Sequence, residues 1–199
     1  MQKEFSNKLA RVVSTIFVPP SFTIIIFSLF SLSIEMAVSK KIIMMLVAFI
    51  FGFVSPITLF LLLKKKGKLV DIDASIKEER TVPFLIATLF YIIGFIVLIY
   101  YKINFVSTGF WFCYISNTII IVFINKVWKI SIHAMGAAGP TAALIYAFGV
   151  QGIILIPIVV FVGWSRVKLK CHTTAQVIAG AVFGFSSTYL QLILYSKLF

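Results

Sequence analysis

Acidic side chains are nearly missing: six Asp and Glu stand against 18 Lys and Arg, for a formal net charge of +12. Charged residues of both signs make up only 12% of the chain, about half of the roughly 25% of an ordinary soluble domain. Hydrophobic residues reach 61%. Too little polar surface is left to coat a water-soluble globule, so that class is excluded. Two cysteines occur in 199 residues and Cys113 lies inside an apolar run, which rules out a disulfide scaffold. Short alternating segments of the kind that build membrane barrels are absent, and so is any nucleic-acid-binding motif.

Uninterrupted apolar runs fill the chain instead. Between charged residues lie Val12 to Ile34, Ile42 to Leu63, Thr81 to Tyr101, Ile103 to Asn125, Ile130 to Ser165 and Cys171 to Ser196, of 23, 22, 21, 23, 36 and 26 residues. A helix crosses a bilayer core of about 30 Å with about 20 apolar residues, so the fold class is an all-α, polytopic transmembrane bundle of six to seven spans in a single domain over residues 1–199. Lys3, Lys8 and Arg11 precede the first run in the manner of a signal peptide. That run exceeds the roughly 7–15 apolar residues of a cleavable leader and no small-x-small site follows it. It is read as the first span, kinked at Pro19 and Pro20.

As one helix the 36-residue run would reach about 54 Å, well beyond the hydrocarbon core. Gly149, Val150, Gln151 and Gly152 form its only polar, glycine-flanked break, which predicts a hairpin of two short legs. With the hairpin, 14 of the 18 cations fall on one side and 4 on the other; without it the split is 12 to 6. The positive-inside rule prefers the hairpin and makes the basic face cytoplasmic. Trp111, Trp128, Trp164 and Tyr100-Tyr101 are expected near span ends, as interfacial anchors.

Three loops on that face hold the groups able to do chemistry. Lys64 to Phe84 contains Lys77, Arg80 and four of the six acids, Asp71, Asp73, Glu78 and Glu79. The second loop carries Ser131 and His133; the third carries Ser165, Arg166, His172 and Gln176. Imidazole is a nucleophile and proton shuttle near neutral pH, and guanidinium offers a planar fork of donors to phosphate oxygens. Two histidines and two arginines on one face suggest phosphoryl transfer on a lipid headgroup.

Ser165-Arg166, five residues and then His172 resembles the third signature of the type 2 phosphatidic acid phosphatase superfamily, Ser-Arg-x5-His-x3-Asp, with Gln176 at the aspartate position. Ile130-Ser131-Ile132-His133 is similar to its second signature, Pro-Ser-Gly-His, in the serine and histidine. Asp73 to Arg80, followed by Thr81-Val82-Pro83, resembles the first, Lys-x6-Arg-Pro, with Lys77 as a substitute lysine one turn away. The resemblance implies a metal-independent phosphatase without cofactor, acting on a lipid phosphate in the bilayer. In it His172 is the nucleophile, His133 the general acid and base, Gln176 the partner of His172, and Arg80, Arg166, Lys77, Ser131 and Ser165 hold phosphate. Asp71, Asp73, Glu78 and Glu79 are the candidate acidic partners.

Two other classes compete. Asp71-Ile72-Asp73 is compatible with half of a magnesium-diphosphate site in a membrane prenyl or alcohol-phosphate transferase, which ordinarily needs two acidic clusters. The glutamine at 176 is compatible with a catalytically inactive phospholipid-binding or transport bundle. Composition carries no signal for oligomeric state or for the choice of lipid.

Overall fold

The computed structural model describes residues 2–70 and 76–198, with the backbone alone for Gln2 and Lys3. Among the described residues 87% are helical and none lies in a strand. The α-helices are α1 (Gln2–Ile16), α2 (Pro19–Ser33), α3 (Val38–Val47), α4 (Ser55–Lys65), α5 (Thr81–Tyr100), α6 (Phe105–Val127), α7 (Ile132–Phe148), α8 (Ile156–Lys168) and α9 (Thr174–Leu198). Five stretches are long and apolar enough to cross a membrane, or six if the bent pair α1 and α2 counts as one span. The break between that pair falls directly before Pro19-Pro20, where the sequence predicts a kink. This is a helical membrane protein.

The chain divides into two compact units. The first comprises residues 1–22 and 129–190. Its core is built on Phe22, Ala137 and Val162, with Val13, Phe17, Ile158 and Val159 packed around them. The long run is interrupted where its glycines predict: α7 ends at Phe148, Gly149 takes φ +67°, and a 3-10 segment Gly149–Leu155 leads into α8. Positive φ is open to glycine without a Cβ clash. At Gly152 a Cβ would collide with the backbone of Leu144 and Ile145, so only glycine lets the returning chain lie on α7. α8 then packs back against α7. The legs have 17 and 13 residues, about 26 and 20 Å at 1.5 Å each, so neither alone matches a 30 Å core.

The second unit comprises residues 23–128 and 191–199. Residues 38–65 run as one continuous helical stretch, from α3 through a π-helical segment Ala48–Val54 into α4. Pro56 supplies the physical reason, since it has no N–H for the Gly52 carbonyl and its ring clashes with a regular i−4 turn. The core is aromatic. Phe27 meets Trp111 edge-on at 5.2 Å and stacks on Phe110 at 5.8 Å. Trp111 is fully buried and its indole N–H donates to the Tyr91 carbonyl at 2.8 Å. The interfacial role expected of Trp111 is therefore corrected: α6 is enclosed by its neighbours, and an aromatic partway along it becomes core. Trp128, Trp164, Tyr100 and Tyr101 do remain exposed.

A polar staple ties the connection before α3 to the one before α6. Asn104 donates from its side chain to the Glu35 carboxylate at 3.2 Å and accepts from Ser107 N–H at 3.0 Å, capping α6. Burial alone would raise the Glu35 pKa. Hydrogen bonds from the Asn104 side chain and backbone, then from Ala37 and Met36, outweigh that effect and hold the carboxyl below its ordinary 4.5.

Candidate functional site

The local turn after α8 explains what the Ser-Arg-x5-His spacing does. Lys170 takes φ +56°, its N–H donates to Val167 at 2.9 Å, and the Cys171 N–H donates to the Arg166 carbonyl at 3.0 Å. These are the paired bonds of a Schellman cap, with lysine where glycine is usual. The reversal is tight enough that the His172 N–H also reaches the Arg166 carbonyl, at 3.3 Å. Arginine and histidine six positions apart in sequence thus become spatial neighbours.

Two residues further on, α9 begins. Thr173 Oγ1 accepts from the Gln176 N–H at 3.3 Å and Gln176 Oε1 accepts from the Thr173 N–H at 3.1 Å, a reciprocal capping box. Gln176, expected to accept from the His172 ring, has this oxygen engaged by the helix end. α7 opens in the same style, with Ser131 Oγ accepting from Ala134 N–H at 3.3 Å and His133 in the first turn.

The two openings are joined directly. The Ser131 N–H donates to the Gln176 carbonyl at 3.1 Å, and a Cβ on Gly180 would strike the Ser131 backbone. Lys129 adds a strap, its ammonium donating to the Cys171 carbonyl at 2.7 Å. Ser131, His133, Arg166, His172 and Gln176 therefore gather at one end of the first unit. Arg166 is fully buried, His172 is 6% exposed and His133 8%, and His133 Nε2, Arg166 Nε and His172 Nδ1 are buried atoms. The Arg166 guanidinium donates from Nη1 to Ser14 Oγ of α1. Ser165 is buried too, with its hydroxyl donating to the Val162 carbonyl at 2.7 Å.

Chemically, this is a buried cluster made cationic by Arg166. Two imidazoles, one guanidinium and the first turns of two helices, whose N–H groups favour anions, leave positive potential without a carboxylate among those five residues. Among the described residues no three His, Cys, Asp or Glu come together as metal ligands.

The other sequence candidates lie in the second unit or outside the described residues. Lys77 and Arg80 fall in a single 3-10 turn, Lys77–Arg80. The Lys77 ammonium lies 3.4 Å from the Lys126 carbonyl and 3.8 Å from Glu78, and Arg80 is buried. Glu79 accepts from the Val70 N–H at 3.0 Å. Asp71 and Asp73 lie outside the described residues.

Sequence reasoning missed Ser14, Lys129 and Thr173. Only Thr173 had a readable signal, the Thr-x-x-Gln capping spacing. Ser14 is one hydroxyl in an apolar run, 152 positions before its partner. No family model matches the chain, and neither a curated protein nor a solved structure matches it.

Proposed function

We propose that this protein is a membrane lipid-phosphate phosphatase working through a phosphohistidine. The observation that carries the reading is the Ser131 N–H to Gln176 carbonyl bond, which brings the segments bearing His133 and His172 side by side next to Arg166. In the proposed cycle a His172 ring nitrogen attacks phosphorus. The lipid alkoxide leaves with a proton from His133, and the phosphoryl group stays on His172. His133 then takes a proton from water, whose oxygen attacks phosphorus, and inorganic phosphate departs as His172 is restored. Arg166 and the N-terminal turns of α7 and α9 offset charge on the equatorial oxygens.

Counting α7 and α8 as the two short legs of a hairpin and the bent pair α1–α2 as one crossing, carried by α2, gives seven membrane segments. In that arrangement 14 of 18 cations share the histidines' side, the cytoplasmic side by the positive-inside rule. Phosphatidic acid, phosphatidylglycerophosphate and polyprenyl phosphates carry the same phosphate, so all belong in the test. Purified protein with chelator present is expected to release phosphate from at least one of them, and His172→Ala to abolish release. A variant that turns over like the parent refutes the nucleophile.

One observation favours a second reading, a bundle that binds lipid phosphate without hydrolysing it. Gln176 stands where the resemblance has an aspartate, and its oxygen is engaged by Thr173, so imidazolium gains no carboxylate there; the loss of such a carboxylate costs a serine protease triad about 10⁴ in turnover. Saturable retention of phosphatidic acid without phosphate release would select this reading.

A further inference from the structure

Helix α1 has three faces rather than two. Projected at about 100° per residue, Ala10, Val13, Ser14 and Phe17 cover one side, which packs against α8 and contributes to the core. Phe5, Leu9, Val12 and Ile16 fall within about 60° of one another, and they are 69%, 42%, 52% and 57% exposed. Glu4, Lys8 and Arg11 occupy the third side, also exposed. The Lys8–Glu4 pair at 2.9 Å is a surface contact of little energetic weight.

A span buried in lipid would not keep a charged face, and a helix in water would not keep four large apolar residues exposed in register. A helix lying at the bilayer surface has use for both. Its apolar stripe enters the acyl boundary while the cations meet anionic headgroups. The inward side of the same helix touches the site, because Ser14 accepts from the fully buried Arg166.

We propose that α1 is an interfacial anchor on an anionic leaflet, and that Ser14 is a positioning residue through which the anchored helix orients Arg166. The Arg166 part rests on the phosphatase reading; the anchor does not.

The anchor is tested on the full chain in nanodiscs, with Phe5→Trp and Ile16→Trp as separate variants and brominated phospholipids as quenchers. Emission of the parent protein is subtracted. The two positions are separated by about 16 Å along the helix axis. For a surface helix both probes quench at depths within about 5 Å of each other, in the outer 5–10 Å of the acyl region. Depths differing by most of the 16 Å, or no quenching at either probe, overturn it. Adding phosphatidylglycerol to phosphatidylcholine discs is expected to slow hydrogen exchange in α1 about tenfold, and Lys8→Gln with Arg11→Gln to remove that response. An unchanged exchange rate on adding the anionic lipid refutes the headgroup contact. For Ser14, phosphate release is measured: Ser14→Ala is expected to raise KM several-fold with kcat retained, and Ser14→Thr to restore KM. Equal KM in Ser14→Ala and parent refutes the positioning role. The depth and exchange measurements need no substrate, so their failure is distinct from failure of the phosphatase reading.

Discussion

Gly180→Ala probes the joint on which the site depends. A Cβ at this position meets the carbonyl oxygen, carbon and nitrogen of Ser131, the last two at 3.2 Å, where ordinary van der Waals contact is 3.4–4 Å and the oxygen lies closer still. All three are backbone atoms held by the cap of α7, so no rotamer change relieves the clash and α9 must withdraw by about 1 Å. That stretches the 3.1 Å bond from the Ser131 N–H to the Gln176 carbonyl beyond hydrogen-bond range. Overpacking costs about 1–3 kcal/mol, and replacing a helical glycine by alanine returns about 1 kcal/mol. The net loss of stability is about 0–2 kcal/mol and the protein stays folded. A 1 Å misplacement of reacting groups is worth about 10²-fold in rate, so phosphate release is expected to fall about a hundredfold with the unfolding temperature lowered by no more than about 8 °C. Gly139→Ala is the control, because its Cβ would meet only the rotatable Thr188 hydroxyl at 3.0 Å among close contacts. Hydrogen exchange gives a second readout, with the Ser131 amide losing protection in Gly180→Ala alone. Parent-like turnover together with a protected Ser131 amide would refute the reasoning.

Two further predictions concern stability. Lys170 holds a left-handed conformation at φ +56° that costs a non-glycine residue about 1–2 kcal/mol, so Lys170→Gly should stabilise by about 1 kcal/mol and raise the unfolding temperature by about 2–4 °C; an unchanged or lower value in detergent counts against the strained cap. Glu35 has a folded-state pKa depressed below 4.5, so its contribution is present at neutral pH and fades as pH falls through that lowered value. Glu35→Gln should therefore flatten the stability profile below about pH 4.5, and parallel profiles for parent and variant would remove the assigned cause.

Much of the helix layout was legible in residue order because lipid leaves so few alternatives. Backbone groups in a bilayer core must be satisfied within the segment, so solid apolar runs have to be helices. The break at Gly149–Gly152 was legible for a related reason, as an overlong run must turn and glycine is the residue that permits it. The family-like spacing of Ser165, Arg166 and His172 could be read, but its geometric cause could not. Lysine in a left-handed cap has no sequence signature, and the turn it makes is what brings His172 to Arg166. The capping role of Gln176 was legible in its spacing from Thr173.

Composition and run length by themselves determined that this chain is a helical membrane protein with a strongly basic character, since both follow from counting residues against the thickness and polarity of a bilayer. Tertiary structure alone decided that Trp111 is core, that Ser14 reaches Arg166, and that the openings of α7 and α9 touch at Ser131 and Gln176. Those outcomes depend on which helix faces which, and apolar helices in lipid pack by close steric fit between small residues, which a one-dimensional pattern does not encode.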